Sequence, residues 1–360
     1  MISFASICEK ANGGGRITDE EALFLFESNE LLEIGALAAS VNGRKNGLRV
    51  FFNLNRHINY TNICVKSCSF CAFSRKAGES GAYAMSLAEI KGRAAEAVRL
   101  GATELHIVGG LNPQLSFDHY LDMLRMVKSE APSVHVKAFT AVEIDHLSSI
   151  SGLEPGDVLS LLREAGLGSL PGGGAEIFAP GVREQLCPEK ISGERWLSIM
   201  ETAHRAGLRS NATMLYGHVE SFADRVDHLR QLRELQDRTH GFLAFVPLAF
   251  QPGTTRLQTG RKGETTGVDD LKTLAISRIY LDNFDNIKAY WVMLGEKIAQ
   301  VALAFGVNDL DGTVIEEKIG HDAGATSPQS LSRDGIVRMI RKAGRQPVER
   351  DTLYNGLRVC

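Results

Sequence analysis

The chain has 360 residues, of which 44% are hydrophobic and 23% charged, and its formal net charge is −3. This composition is that of an ordinary globular protein, and the length allows a large buried core. The small negative charge argues against nucleic acid as a partner, and no run of about 18 apolar residues predicts a membrane span. The first residues lack the pattern of a secretion signal, so we expect a reducing, cytoplasmic location.

Residues 1–45 are predicted to form a helical extension ahead of the main domain. Residues 18–21 have a capping-box pattern before an apolar run, and residues 29–40 have the pattern of a second apolar helix. No linker composition divides the rest of the chain. We therefore predict one further domain, residues 46–360, which ends in a helix and a polar tail.

From residue 48 onward, short apolar runs alternate with longer amphipathic runs, as is typical of βαβ units with a parallel sheet. Predicted strands cover residues 48–54, 103–109, 134–140, 168–171, 209–216, 242–249, 287–293 and 312–316. Predicted helices cover residues 87–100, 117–130, 155–165, 192–206, 222–239, 269–284, 295–305 and 332–344, and residues 251–267 are predicted to form a surface loop. Eight strands predict a (β/α)8 barrel of the TIM type, although an open doubly wound sheet has the same alternation.

Half of the six cysteines, Cys64, Cys68 and Cys71, lie within eight residues after the first predicted strand. Iron–sulfur clusters normally take four cysteines, so three thiolates can hold a [4Fe–4S] cluster whose fourth iron stays open. Structural zinc needs four ligands, and the other three cysteines are isolated in the sequence. A disulfide is disfavoured in a reducing compartment. The loop therefore predicts a cluster with one open coordination position.

The C-terminal ends of the predicted strands carry candidate binding residues, because ligands of parallel barrels bind at that face. Strand two ends at Gly109 and Gly110, where a ligand can approach the backbone, although a plain tight turn has the same sequence. Strand four is followed by three glycines and Glu176, a carboxylate suited to bind a ribose diol. Pairing of Glu176 with Arg183 is the structural alternative. Glu143, after strand three, is a second candidate carboxylate.

Strands five and seven carry further polar and aromatic candidates. Alternation places Asn211, Thr213 and Leu215 on one face, where polar side chains are costly unless they bind something. His218 lies beyond strand five and is either a general acid/base or a solvated loop residue. Tyr290 lies in strand seven, where it would contact an aromatic substrate or fill the core.

The spacing Cys-x3-Cys-x2-Cys, with an aromatic residue before the third cysteine, resembles the signature of the radical S-adenosylmethionine (SAM) superfamily. Further segments resemble the radical SAM enzymes of the futalosine route to menaquinone and the related deazaflavin-cofactor synthase. These segments are residues 55–73, 172–177, 210–218 and 235–237, and the resemblance spans roughly residues 45–355. Within this group, residues 211–218, 247–250, 282–284 and 287–293 are most similar to the aminofutalosine synthases.

The resemblance implies that the three cysteines hold a [4Fe–4S] cluster whose open iron binds SAM. The residues that it implies for SAM binding are Phe70, Gly109, Gly110, Glu143, Gly173 and Glu176. Those expected to bind the substrate are Asn211, Thr213, Tyr216 and Tyr290. The candidate catalytic residues are Arg56, His57 and His218, placed as cations beside the substrate carboxylates, with surface charge or pairing at the barrel rim as the alternative.

The resemblance also implies a reaction. A one-electron donor such as flavodoxin or ferredoxin reduces the cluster, and SAM is cleaved to methionine and a 5′-deoxyadenosyl radical. The radical adds to 3-[(1-carboxyvinyl)oxy]benzoate, and rearrangement with loss of a carboxyl group gives 6-amino-6-deoxyfutalosine. The alternatives are the hydrogen-abstracting cyclase of the same route, a deazaflavin-cofactor synthase and a non-enzymatic cluster carrier. Two residues depart from the group's pattern, Leu111 in place of an acidic residue and Gln251 in place of histidine.

Overall fold

The computed structural model describes residues 2–257 and 265–360, so residues 258–264 of the predicted surface loop lie outside the described residues. The helices are α1 (Phe4–Asn12), α2 (Asp19–Glu27), α3 (Leu31–Asn46), α4 (Leu87–Arg99), α5 (Phe117–Glu130), α6 (Ala141–Ser151), α7 (Pro155–Ala165), α8 (Pro180–Leu186), α9 (Gly193–Arg205), α10 (Phe222–Thr239), α11 (Gly267–Tyr280), α12 (Trp291–Ala302), α13 (Ile319–Asp322) and α14 (Arg333–Lys342). The strands are β1 (Arg49–Asn53), β2 (Asn55–Ile58), β3 (Glu104–Ile107), β4 (His135–Ala138), β5 (Ser169–Leu170), β6 (Arg209–Tyr216), β7 (Phe242–Ala249), β8 (Asp309–Gly312), β9 (Gln346–Arg350) and β10 (Gly356–Val359).

Strands β2 to β7 form a six-stranded parallel sheet in chain order. The sheet curls, and short parallel pairings join its two edges. Ile287 pairs with Phe245 of β7, Lys288 pairs with Asp309 of β8, and Ile315 pairs with Arg56 of β2. The ring therefore has eight positions, two of them short and irregular, and the predicted TIM-type barrel is confirmed.

The first predicted strand, residues 48–54, differs from the structure because the chain leaves the ladder at Leu54. β1 pairs with β8 and β9 in a second sheet, and β2 begins the barrel. Side chains replace ladder bonds at this point. The Asn55 N–H donates to Thr313 Oγ1 (3.0 Å), and Asn55 Oδ1 accepts from the Val314 N–H (2.8 Å). Such side-chain bonds compete with regular strand pairing and divide the run in two.

The seventh predicted strand, residues 287–293, is shorter than expected because α12 begins at Trp291. The Trp291 indole N–H donates to the Gly312 carbonyl (2.9 Å), and the side chain is fully buried. Burial of this large ring with its one donor satisfied outweighs the strand propensity of the aromatic run.

The predicted polar tail is instead the two strands β9 and β10. β9 pairs in parallel with β1. Arg350, at the end of β9, forms an ion pair of 2.7 Å with Asp309 of β8, and both side chains are almost fully buried. The C-terminal residues are therefore part of the barrel's support.

The N-terminal helices pack on the outside of the barrel, with α3 against α11. Lys272 of α11 is buried, and its ammonium donates to the carbonyls of Phe26 (3.1 Å) and Ser28 (2.6 Å) at the end of α2. These carbonyls would otherwise lack partners at a helix C-terminus. Across residues 2–257 and 265–360, no helix is long and apolar enough to cross a membrane.

The buried Arg350–Asp309 pair gives a stability prediction. Arg350→Met leaves Asp309 charged and unpaired, so the free energy of unfolding should fall by about 3–5 kcal/mol. Arg205→Met breaks an exposed pair with Glu201 on α9 and is the control, with an expected change of about 0.5 kcal/mol or less. Urea denaturation of both variants measures the difference, and equal effects would contradict the structural role of Arg350.

Candidate active site

A cavity of about 310 Å³ lies inside the barrel and opens at the C-terminal ends of its strands. This size is within the range of small-molecule sites. Its mouth is lined by the cysteine loop and the glycine segments, and its deeper part by side chains from β2, β3, β4 and β8. Cys64, Cys68 and Cys71 all line this one cavity.

The cysteine loop is held in one conformation by Lys76. Its ammonium donates to three successive carbonyls, those of Cys64 (3.2 Å), Val65 (2.9 Å) and Lys66 (3.1 Å). On the other side, the Val65 N–H donates to the carbonyl of Leu111 (3.0 Å). The loop is thereby attached to the glycine turn after β3, which supports a preorganised ligand set.

Gly110 is required by the close approach of these two segments. A Cβ at this position would collide with the carbonyl oxygen of Ile63 and lie 3.1 Å from Cys64 Cβ. Gly109 and Gly110 both line the cavity mouth, as predicted for a ligand-binding turn.

Glu143 has a local role that the sequence interpretation missed. It forms a capping box with Thr140 at the start of α6, a helix that was not predicted although the Thr-x-x-Glu pattern is present. Its carboxylate accepts from Tyr60 Oη (2.8 Å), the Gly109 N–H (3.1 Å) and the Thr140 N–H (2.7 Å). Burial raises the pKa of Glu143, because desolvation outweighs these hydrogen bonds. Glu143 lines the cavity, and it also orients the glycine turn.

Glu176 lies at the cavity mouth beside the three glycines and does not pair with Arg183. It forms an ion pair with Lys190 (2.6 Å), whose ammonium also lies over the Phe70 ring at 5.0 Å. Arg183 donates instead to backbone carbonyls, including that of Ala175 (2.6 Å). Glu176 has φ 47°, a left-handed conformation that is uncommon outside glycine and recurs at functional sites.

Lys190 was not predicted as a site residue, and only the fold brings it beside the cysteine loop. Burial raises the pKa of the Cys68 thiol to about 12, and the Lys190 charge opposes this shift. Burial lowers the pKa of Lys190, but Cys68 and Glu176 together raise it above the ordinary value. Lys190 therefore stays charged, and its charge favours the thiolate form of Cys68.

Asn211 and Thr213 of β6 line the cavity together with Leu215, as strand alternation predicts. Thr213 Oγ1 donates to the Gly172 carbonyl (2.7 Å), so it also fixes the glycine segment. Tyr290 is buried and lines the cavity too. These three predicted substrate-binding residues are thus gathered around one space.

Three other predicted site residues do not line the cavity. Arg56 is buried and pairs with Glu96 (2.7 Å) and Glu316 (2.6 Å), which matches the alternative of structural pairing. Tyr216 points to the other face of β6 because alternation opposes it to Leu215, and its hydroxyl donates to Asp270 (2.7 Å).

His218 also lies outside the cavity lining. It is neither solvated nor free. Its Nε2 bonds the Leu215 carbonyl (2.9 Å), and its Nδ1 accepts from the Val219 N–H (2.7 Å). With both ring nitrogens engaged, it is not placed for proton transfer inside the cavity.

His57, by contrast, faces the cavity and is part of a polar layer that the sequence interpretation missed. Its ring stacks on that of His106 at 4.4 Å. Burial lowers the pKa of His57, and burial together with His57 lowers the pKa of His106 well below the usual value. Both rings are therefore neutral. We define the cavity floor as His57, His106, Lys137, Lys288 and Asp311, all of which line the cavity. The available signal was a charged residue inside an apolar strand, as at Lys137 and Lys288.

Comparison with known proteins identifies the family. Residues 58–232 match the radical SAM superfamily, and residues 239–359 match the CofH/MqnC C-terminal region. The chain is 47% identical to the aminodeoxyfutalosine synthase of Thermus thermophilus, over 98% of this chain and 95% of the relative. It belongs to the radical SAM superfamily.

Two further relatives are similar to this chain over almost its whole length. The chain is 45% identical to the aminodeoxyfutalosine synthase of Streptomyces coelicolor, covering 97% of this chain and 93% of the relative. It is 41% identical to the 5-amino-6-(D-ribitylamino)uracil–L-tyrosine 4-hydroxyphenyl transferase of Methanococcoides burtonii, covering 96% and 97%. The protein is therefore a radical SAM enzyme of the type that includes these proteins.

Solved structures support the fold. Methylornithine synthase has a TM-score of 0.75 at 18% identity, with 95% of this chain and 97% of that chain covered. The hydrogenase maturase HydG from Carboxydothermus hydrogenoformans has a TM-score of 0.76 at 18% identity, with 98% and 80% covered. At this identity the likeness concerns the radical SAM barrel alone.

The residues at the mouth fit a cluster better than a single metal ion. In residues 2–257 and 265–360, no group of three His, Cys, Asp or Glu residues could hold one metal ion. A cubane cluster binds each cysteine to a different iron, so its ligands need not converge on one point. Three thiols that line one cavity mouth, on a loop fixed by Lys76, match that requirement.

The close contact at Gly110 gives a prediction about the loop. Gly110→Ala should lower the free energy of unfolding by about 1–3 kcal/mol, because the new methyl group forces the cysteine loop away from the turn. It should also make the thiols of the loop react faster with a disulfide reagent. Gly92→Ala in α4, where nothing lies within 4 Å of the new Cβ, is the control and should be neutral or slightly stabilising. Identical stability and thiol reactivity in the two variants would argue against the close packing.

Proposed function

We propose that this protein forms 6-amino-6-deoxyfutalosine from SAM and 3-[(1-carboxyvinyl)oxy]benzoate, a step of menaquinone biosynthesis. The observation that carries the proposal is the 47% identity to an aminodeoxyfutalosine synthase over almost the whole of both chains. The cavity supports it, since it combines three thiols and a glycine-flanked carboxylate at the mouth with a polar interior that contains Lys137 and Lys288.

The proposed cofactors are a [4Fe–4S] cluster held by Cys64, Cys68 and Cys71 and SAM as co-substrate. The cluster with bound SAM would supply a 5′-deoxyadenosyl radical, a species that protein side chains alone do not generate. A one-electron donor such as flavodoxin or ferredoxin is the proposed partner.

The protein's own residues are proposed to bind and orient the two substrates. Gly109 and Gly110 allow the methionyl end of SAM to approach the backbone, as they have no side chains. Glu176 accepts from the ribose hydroxyls, with Lys190 fixing one carboxylate oxygen and leaving the other for the ligand. Phe70, packed under Lys190, covers this part of the mouth.

The middle of the cavity is proposed to hold the enol ether and the ring. Asn211 and Thr213 supply polar contacts, while Val246, Leu248 and Tyr290 line the site and exclude water. The lining must also keep weak C–H and S–H bonds away from the reacting carbon, because a primary carbon radical abstracts hydrogen atoms from such bonds. The vinyl carbon must lie within a near-attack distance of roughly 3–3.5 Å of the 5′ carbon of SAM.

The second candidate function is a reaction of the transferase type, and the 41% identity to the Methanococcoides burtonii enzyme favours it. The name of that enzyme gives L-tyrosine and a ribitylaminouracil as substrates, and these differ from an enolpyruvyl benzoate. Incubation of the reduced enzyme with each substrate set, followed by mass analysis, separates the two functions.

Isotope labelling tests the proposed reaction. With adenosine-labelled SAM and the enolpyruvyl benzoate, the label should appear in a nucleoside joined to the benzoate-derived fragment. Addition makes SAM a co-substrate, whereas hydrogen abstraction releases its adenosyl carbons as 5′-deoxyadenosine. Liquid chromatography with mass detection measures both products. Recovery of almost all label as 5′-deoxyadenosine would favour the cyclase type instead.

Cysteine variants test the proposed cluster. Cys64→Ala, Cys68→Ala and Cys71→Ala should each lose the iron content and visible absorbance of the reconstituted protein and fail to cleave SAM, because each removes one iron ligand. Cys187→Ala removes a buried cysteine outside the cavity lining and should keep all three properties. Normal iron content and SAM cleavage in the Cys68→Ala protein would contradict the assignment.

A further inference from the structure

The cavity floor is a layer of polar side chains at one level of the barrel. His57 of β2 is directly paired with His106 of β3, and His106 is directly paired with Lys137 of β4. Lys288 and Asp311 come from the irregular side of the ring. All five side chains face the cavity, whereas the alternate residues of the same strands are in the core between sheet and helices.

Each lysine of the floor has one carboxylate partner and spare donors. Lys137 lies 2.6 Å from Glu104, and Lys288 lies 2.6 Å from Asp311, with all four side chains at least nine-tenths buried. An ammonium group carries three N–H donors. Among residues 2–257 and 265–360, neither ammonium group has another hydrogen-bond or ion-pair partner.

His57 adds a further unused polar atom. Its Nε2 is buried and has no hydrogen-bond partner among residues 2–257 and 265–360. Its neutral ring presents either a donor or an acceptor at that atom. Buried polar atoms without partners cost free energy and are therefore rare in native proteins unless a ligand or water satisfies them. The two ammonium groups and His57 therefore have donors that no residue of the described chain uses, although both oxygens of Glu104 also lack hydrogen-bond partners and the buried carboxylate of Glu317 lines the same cavity.

We propose that the cavity floor binds the ring carboxylate of the substrate, with Lys137, Lys288 and His57 as donors. This inference rests on the proposed function and assigns the part of the site that recognises the benzoate end. The carboxylate has two oxygens and about four lone-pair positions, so it can accept from all three groups. Glu104 and Asp311 hold the two ammonium groups in place and are not displaced.

The ring carboxylate fits the floor better than the enol carboxylate because of where the reaction takes place. The enol carboxylate is attached to the carbon next to the reacting vinyl carbon, so it must lie close to SAM at the mouth. The ring carboxylate is at the other end of the molecule, across the aromatic ring. The apolar residues Val246 and Leu248 line the cavity and can contact that ring.

A purely stabilising role explains the charged residues of the cavity floor less well than carboxylate binding does. Two buried ion pairs are often no more stabilising than apolar residues of the same volume, so fold stability by itself does not require them. They lie in a cavity lining, and they leave donors unused. Lys272 shows the contrast, because this buried lysine lies outside the cavity lining and donates to two backbone carbonyls.

Ligand analogues and lysine variants test the proposal together. The protein is the cluster-reconstituted enzyme with SAM and without reductant, so that binding is measured by calorimetry in the absence of turnover. The probes are 3-[(1-carboxyvinyl)oxy]benzoate, its ring carboxamide and its enol carboxamide. In the wild-type protein the ring carboxamide should bind about 10- to 100-fold more weakly than the parent, as expected for lost charge-assisted hydrogen bonds.

The variants Lys137→Gln and Lys288→Gln keep a polar side chain of similar shape but remove the charge. In each, the preference for the parent over the ring carboxamide should fall to about threefold or less. The preference for the parent over the enol carboxamide should stay at its wild-type value. Lys272→Gln is the matched control of a buried lysine and should keep both preferences. Melting temperatures report whether each variant is folded.

The proposal is overturned if the ring-carboxamide preference persists in both folded glutamine variants, or if they change only the enol-carboxamide preference. If neither variant folds, the wild-type comparison alone decides, since equal binding of parent and ring carboxamide overturns the proposal. Product formation under reducing conditions separates the two hypotheses. A wild-type protein that makes the labelled nucleoside but does not discriminate the ring carboxamide retains the proposed function and loses this inference. A protein that neither binds the parent nor makes product loses both.

Discussion

The need to pair charges inside a parallel barrel dominates this structure. Inward positions of the strands are shielded from water, and an unpaired charge there costs several kcal/mol. The chain meets this constraint with ion pairs between neighbouring parts of the ring. Glu104 of β3 pairs with Lys137 of β4, Lys288 pairs with Asp311, and Asp309 of β8 pairs with Arg350 of β9. The first pair joins two regular strands, the second joins the two irregular positions of the ring, and the third joins β8 to the C-terminal strand β9.

Two different kinds of support therefore surround the cavity. At the mouth, loops are fixed by hydrogen bonds between side chains and the backbone: Lys76 donates to carbonyls of the cysteine loop, and Glu143 accepts from the Gly109 N–H. At the floor, side chains on strands are fixed by strand register and by their partners. Binding groups on regular elements are held more precisely than groups on loops. The loops carry the proposed cofactor ligands, and the strands provide a rigid polar layer.

Several residues that the sequence suggests as ligand-binding or catalytic make structural contacts in the fold. Glu143 follows a strand, as a ligand-binding carboxylate would, but it is also the third helical residue after a threonine cap. His218 follows β6, but both of its nitrogens bond backbone groups of its own turn. Arg56 lies in β2 next to His57, but it points away from the cavity to Glu96 and Glu316. In each case the polar side chain already has hydrogen-bond or ion-pair partners within the protein.

The sequence by itself determined the alternation of strands and helices, the three-cysteine loop and the glycine turns, because these depend on local period, spacing and backbone freedom. Most helix bounds followed, as for α5 and α10. Only the tertiary structure decided which polar residues share the cavity. Strands of four residues are too short for alternation to define their inward face, and Lys190 and Lys288 reach the site through non-local packing. The C-terminal strands β9 and β10 were not predicted for the same reason. The ion pair of Arg350 with Asp309 forms only when β9 lies near β8 in the folded chain.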